Sequence, residues 1–179
     1  MRIALITAVS ALAALAGCNP SAESQAAKAK PDSNVALNAA ILAARPLPKE
    51  AALKLMHDRH ENMEKIRDAM KLASREVKAG SPDLGVIRSS ATTMARLAAQ
   101  VPSWFPPGTG PDIGKTMAKP EIWQRPADFN AKAKAFGQSA KAFEAAARAG
   151  EMPAIQASFA ALGKTCKACH DDYRNEHKK

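Results

Sequence analysis

The feature that most constrains the fold is a stretch from position 49 to position 79 in which neither proline nor glycine occurs. Aromatic residues make up only 4% of the chain, which disfavours strands, since sheets are enriched in aromatic and β-branched residues. Apolar or near-apolar side chains recur in the stretch at steps of three or four, the spacing of one helical face: Leu53, Met56, His60, Met63, Ile66, Met70, Ala73 and Val77. The pattern predicts a long amphipathic helix and an all-α fold.

Three further helices are predicted downstream. The second begins with Ser81 as its N-cap and runs to about residue 101, and the third follows proline 126 and continues to residue 149, where Gly150 ends it. The fourth starts near residue 152 and carries one apolar stripe towards the C-terminus. Short links join the first pair and the last pair, and a long crossing separates the pairs, which predicts an antiparallel four-helix bundle.

The long crossing, residues 102–126, holds both tryptophans, Trp104 and Trp123. A connection of this length inside a compact domain is usually functional or wraps an end of the core. The plainer alternative is that the two tryptophans only pin the loop to the bundle.

The fourth helix contains the segment CKACHDDYR, which begins at Cys166. The order Cys-x-x-Cys-His is typical of covalent attachment of a c-type haem. Cys166 and Cys169 are separated by three positions and project from nearly one helical face, so both thiols can join one porphyrin. His170 then lies under the ring and can bind the iron. A zinc site would require a second Cys/His pair, and a thioredoxin-like pair is expected at a helix N-terminus after a strand.

The N-terminus has the pattern of a secretion signal. Arg2 is followed by an apolar stretch over residues 3–16, too short to span a membrane as a helix, which ends in the segment LAGC. This segment resembles a bacterial lipobox, so Cys18 is the expected site of lipidation. Ordinary signal cleavage after Gly17 is the alternative. We predict a signal peptide over 1–17, a lipid-anchored tether over 18–48 and a four-helix domain over 49–179, in a periplasmic, membrane-tethered lipoprotein.

The formal net charge is +9, with basic residues spread through every segment. Diffuse positive charge suits an acidic partner protein, an anionic cofactor or an anionic membrane surface. Nucleic-acid binding is not expected, because no recognised binding motif or aromatic-rich face accompanies the charge.

Taken together, the C-terminal motif, the segment RHENM at residues 59–63 and the crossing WFPPGTG…KPEIW resemble the cytochrome c′ and cytochrome c-556 family over about residues 49–177. The resemblance implies a four-helix bundle with one haem c per chain, in a family that frequently forms homodimers through the first two helices. It also implies site roles: Met63 on the distal side of the haem, Arg59 within reach of a propionate, Arg174 beside the proximal face and Tyr173 packed near the histidine. Arg59 and Arg174 can also be solvated surface charges.

The sixth iron ligand separates the functions that this resemblance implies. With Met63 bound, the haem is six-coordinate and the protein is a periplasmic carrier of single electrons, with acidic redox proteins as partners. With the distal site open, it binds nitric oxide or carbon monoxide, and Met63 belongs to an ordinary packing stripe. A peroxidase is the third option, with His60 as the available base; His60 is also the second choice of ligand. We expect a carrier and not an enzyme.

Overall fold

The computed structural model describes residues 47–176 and contains four long helices. They are α1 (Lys49–Val77), α2 (Leu84–Ala98), α3 (Pro126–Ala149) and α4 (Met152–Tyr173). The crossing between α2 and α3 adds a 3₁₀ turn over Val101–Trp104 and a one-turn helix over Glu121–Gln124. The predicted signal peptide, most of the tether and Cys18 lie outside the described residues.

The four long helices form the antiparallel bundle that the sequence predicts. Helix α1 packs along α2, α2 along α3 and α3 along α4, whereas α1 and α4 make few direct contacts. Small side chains allow the close approaches, since Ala73, Ala91 and Ala140 are completely buried. The wide α1–α4 side is where a large ligand can enter the bundle.

A ladder of phenylalanines on α3 anchors the core. Phe129, Phe136 and Phe143 follow one another at intervals of seven and are all buried. Removing a side chain of this size from water contributes about 1.5–3 kcal/mol. Phe143 is completely buried and packs on Phe159 of α4, with ring centroids 5.3 Å apart.

The start of α2 differs from the prediction that Ser81 is its N-cap. Asp83 caps the helix instead, and its carboxylate accepts hydrogen bonds from the backbone N–H groups of Gly85 at 2.7 Å and Val86 at 3.2 Å. Aspartate is as good a cap as serine, and its charge also interacts favourably with the helix dipole. The C-terminal end of α3 agrees with the prediction. Gly150 ends this helix with a φ of 86°, a conformation that favours glycine.

Within residues 47–176, no helix combines the length and the apolar character needed to cross a bilayer.

Candidate cofactor site

A cavity of about 1010 Å³ lies between α1, α4 and the crossing. Its volume is at the upper end of the range of small-molecule sites, about 300–1,000 Å³. All six predicted haem-site residues line it, although they come from helices at opposite ends of the sequence: Arg59, Met63, Cys166, Cys169, His170 and Arg174.

Helix α4 supplies the thiols and the imidazole. Cys166 and Cys169 are both unpaired and partly buried, and they pack against the core. Burial raises the pKa of Cys166 and raises the pKa of Cys169 to about 11, so both thiols are protonated at neutral pH. A redox-active pair would need a lowered thiol pKa, which argues against thioredoxin-like chemistry.

The imidazole of His170 is in the form that a metal requires. His170 is exposed at the edge of the cavity, but partial desolvation of its ring lowers its pKa, and the nearby charge of Arg174 lowers it further, against a smaller opposing effect of Asp171. A lowered pKa keeps the ring neutral, with a lone pair available at one nitrogen.

Helix α1 supplies the opposite wall, where three methionines follow one another at intervals of seven. Met56 is buried against Gly114 of the crossing: a Cβ at that glycine would lie 3.4 Å from its methyl carbon and 3.8 Å from its sulfur. Met70 reaches Gly163 of α4, where a Cβ would lie 3.7 Å from the methionine methyl. Met63 lies between them, is partly buried and lines the same cavity.

Arg59 is the most deeply buried charged side chain of the site, with 4% of its surface exposed. Its guanidinium donates to the carbonyl and hydroxyl oxygens of Thr109 at 3.1 and 3.3 Å, to Thr116 Oγ1 at 3.2 Å and to the carbonyl of Trp104 at 3.4 Å. It also lies 4.6 Å from the centroid of the Phe105 ring. The alternative that Arg59 is a solvated surface charge is therefore wrong.

The charge on Arg59 has no acidic side chain as a partner. Burial lowers the pKa of Arg59 to about 10, which leaves it ionised at neutral pH. None of the ion pairs found in residues 47–176 includes it. A buried cation that lines a cavity and has only neutral acceptors fits a ligand that carries carboxylates, as haem does.

The crossing forms the aromatic end of the cavity and supplies residues that no motif or periodic pattern in the sequence indicates. Phe105 packs edge-on against Phe129 at 4.8 Å and tilted against Trp123 at 6.2 Å. Trp123 donates its indole N–H to the carbonyl of Pro106 at 3.0 Å, so it pins the loop. Thr109 and Thr116 were missed because isolated threonines in a loop carry no periodic signal.

The C-terminal end of α4 is held by side chains from α3 and its N-terminal flank. Tyr173 is buried and donates a hydrogen bond to the carboxylate of Asp128. Its ring packs edge-on against Phe129 at 5.4 Å, and the guanidinium of Arg125 lies 5.2 Å from the ring centroid. Arg174 is exposed at the cavity edge, and its backbone N–H donates to the carbonyl of His170 at 3.0 Å.

A sequence profile of the cytochrome c′ family matches residues 54–174. Cytochrome c′ of Alcaligenes xylosoxydans xylosoxydans is 34% identical over 102 residues, which cover 56% of this chain and 76% of that protein. Cytochrome c-556 of Agrobacterium tumefaciens strain B2A is 32% identical over 113 residues, which cover 63% of this chain and 89% of that protein.

Solved structures that superpose on this chain belong to the same family as these sequence relatives. The crystal structure of cytochrome c′ from Thermochromatium tepidum superposes with a TM-score of 0.65 at 29% identity, covering 74% of this chain and 100% of that one. A nitric oxide complex of a single-residue variant of cytochrome c′ from Alcaligenes xylosoxidans gives a TM-score of 0.63 at 31% identity, with the same coverage.

Two thiols one helical turn apart, a neutral imidazole and a buried cation thus surround one cavity large enough for a porphyrin. The family profile matches most of the described residues. The chain belongs to the cytochrome c′ family and is a c-type haem cytochrome with one covalently attached haem c.

Proposed function

We propose that the protein carries single electrons, with its haem attached through Cys166 and Cys169 and the iron held by His170 and Met63. The observation that carries this proposal is the place of Met63 in the wall of the cavity that also contains the Cys-x-x-Cys-His motif. When bound, haem c supplies a one-electron change between ferric and ferrous iron, and a thioether ligand favours the ferrous state.

The packing of α1 favours Met63 over the other methionines of this helix as the ligand. Met56 and Met70 also line the cavity, but each lies beside a glycine of a neighbouring segment, where a Cβ would be 3.4 and 3.7 Å from the methionine methyl carbon, so close packing explains both of them. For Met63, no glycine contact of this kind is found within the described residues. Its flexible, soft thioether suits a ligand position.

The remaining wall residues have supporting roles in this proposal. The four terminal N–H groups of Arg59 bond to the crossing, so Arg59 attracts a haem propionate by its charge and with its remaining Nε–H at the buried end of the cavity, and Arg174 lies near the proximal edge. His60 is exposed and occupies the same wall one turn before Met63, so it is the second choice of distal ligand.

Gas binding is the alternative function, and a relative supports it. A single-residue variant of cytochrome c′ from Alcaligenes xylosoxidans has been solved with nitric oxide bound. In this alternative, Met63 is a packing residue and the distal iron position takes nitric oxide or carbon monoxide. Peroxidase activity ranks third, with His60 of the α1 wall as the candidate base. We propose that the protein is not an enzyme.

The setting that we propose is the periplasmic face of a membrane. Residues 1–17 are the signal peptide, Cys18 carries the lipid, residues 18–48 are the tether and 49–179 form the cytochrome domain. The net charge of +9 supports acidic redox partners. Homodimerisation through α1 and α2 is supported by Leu72 of α1, which is 44% exposed, and by a solved cytochrome c′ described as having a ligand-controlled dimer dissociation.

Absorption spectra with and without carbon monoxide test the function. A low-spin reduced spectrum that the gas leaves unchanged supports the carrier, whereas a high-spin spectrum that the gas shifts supports gas binding. Met63→Ala should convert a low-spin haem to a high-spin one and open it to carbon monoxide. Met63→Leu should do the same while keeping the side-chain volume.

A matched control for these variants is Met152→Ala, because Met152 packs against the core at the start of α4 and does not line the cavity. This variant should keep the parent spectrum. An unchanged spectrum in both Met63 variants would rule out ligation by Met63.

A further inference from the structure

The crossing is bonded through its backbone to the end of α4, a few residues after His170. The Lys119 N–H donates to the carbonyl of Tyr173 at 3.0 Å, and the Asn175 N–H donates to the carbonyl of Met117 at 2.8 Å. These two bonds make an isolated antiparallel bridge. A side-chain bond extends it, since Lys119 Nζ donates to the carbonyl of Asp171 at 3.0 Å.

The other end of the same segment is tied to α1. Thr116 Oγ1 accepts hydrogen bonds from the guanidinium of Arg59 at 3.2 Å and from the backbone N–H of Ala118 at 3.1 Å. Arg59 lies one helical turn before Met63. An unbroken path of hydrogen bonds therefore runs from the α1 wall through Thr116 to the end of α4.

This path bridges the open side of the bundle. Helices α1 and α4 make few direct contacts, so their relative position next to the cavity depends on the segment between them. The last turn of a helix has carbonyl groups without helical partners and opens easily unless other groups hold it. In α4, the carbonyls of Asp171 and Tyr173 accept hydrogen bonds from the side chain and the backbone N–H of Lys119, so the bridge holds the last turn.

We propose that residues 116–119 form a clamp that fixes the orientation of the His170 ring, with Thr116 as the positioning residue at its centre. This inference rests on the proposed role of His170 as the iron ligand. The clamp acts on the backbone of the last turn of α4, one residue after His170, and it needs no contact with the iron.

The test compares the holoprotein with its Thr116→Val variant, which removes the hydroxyl and nearly preserves the volume. Thr116→Ser should restore the parent behaviour, because it returns the hydroxyl. Thr92→Val is the matched control, since the Thr92 hydroxyl bonds to Glu144, which lies outside the cavity wall. The first measurement is the hydrogen-exchange rate of the Lys119 and Asn175 amides in the bridge. The second is the position of the hyperfine-shifted NMR resonances of the His170 ring in the ferric protein, which are identified by histidine labelling.

In Thr116→Val we expect the amides of Lys119 and Asn175 to exchange about fivefold faster, the effect of losing roughly one hydrogen bond. We also expect the His170 resonances to move or to split into two sets. Neither change should occur in Thr116→Ser or Thr92→Val. Parent-like exchange at both amides, or His170 resonances that stay unchanged, would overturn the clamp.

Two outcomes separate this inference from the proposed function. If the parent itself shows no hyperfine-shifted histidine at position 170, the ligand assignment fails and the clamp fails with it. If the Thr116→Val variant does not attach haem, the Lys119→Met variant tests the clamp in its place, because it removes the bond to the Asp171 carbonyl and keeps an apolar side chain. The same displacement of the His170 resonances then supports the clamp, and parent-like resonances refute it.

Discussion

Replacing Arg59 by methionine should destabilise the bundle by about 2–4 kcal/mol, because this one side chain joins α1 to three parts of the crossing. Its two shorter hydrogen bonds, to the Thr109 carbonyl at 3.1 Å and to Thr116 Oγ1 at 3.2 Å, contribute about 1.5–3 kcal/mol each when the donor is charged. The cost of desolvating the guanidinium offsets part of that gain. Methionine also leaves the carbonyl of the completely buried Thr109 without this donor.

Thermal unfolding of the holoprotein, followed by far-UV circular dichroism, measures the effect. For a domain of this size each kcal/mol shifts the midpoint by about 3–4 °C, so a fall of about 6–16 °C is expected. Arg59→Lys should lie between the parent and Arg59→Met, since an ammonium keeps the charge but cannot reproduce the planar fork.

Arg67→Met is the matched control on the same helix. Arg67 is exposed and pairs with Glu64 and Asp68, and exposed ion pairs contribute less than about 1 kcal/mol. If Arg59→Met unfolds within about 0.5 kcal/mol of Arg67→Met, the buried hydrogen-bond network does not stabilise the crossing and the reasoning is wrong.

Two further predictions concern the ends of the chain. Burial and the bond to Asp128 raise the pKa of Tyr173 to about 12, so its contribution to stability is full below about pH 10 and is lost as the pH rises from there through 12. Because the chain has one tyrosine, ultraviolet titration of the phenol reports Tyr173 alone; Asp128→Asn should lower the midpoint, and a parent midpoint near 10 would contradict the packing. Cys18→Ala should release the protein from the membrane with its haem spectrum unchanged, and continued membrane association would count against the lipid anchor.

The periodic parts of the sequence were sufficient to predict the helices. The first helix was expected over 49–79 and is observed over Lys49–Val77. The third was expected to follow Pro126 and the fourth to start near Met152, and they begin at Pro126 and Met152. These boundaries are predictable because proline, glycine and the apolar step each act locally, so neighbouring residues alone decide them.

The site was predictable where its chemistry depends on spacing within one helix. Cys166, Cys169 and His170 follow from a local motif, and the structure places all three on the cavity. The sequence does not decide between a buried and a solvated role for Arg59, because its burial depends on Thr109 and Thr116, 50 and 57 residues away in the chain. The cap of α2 was misplaced by two residues because Ser81 and Asp83 are both good caps and only the helix geometry distinguishes them.

The crossing is more than a connection, and the reason lies in the asymmetry of the bundle. The α1–α2, α2–α3 and α3–α4 pairs pack closely through buried alanines. Equally close packing of α1 on α4 would remove the volume that the haem needs. The α1–α4 side therefore has to be held at a fixed width by something other than direct helix packing. Polar contacts from Arg59 and the bridge to the end of α4 meet that requirement, because hydrogen bonds set distance and direction across a gap while apolar contacts favour collapse.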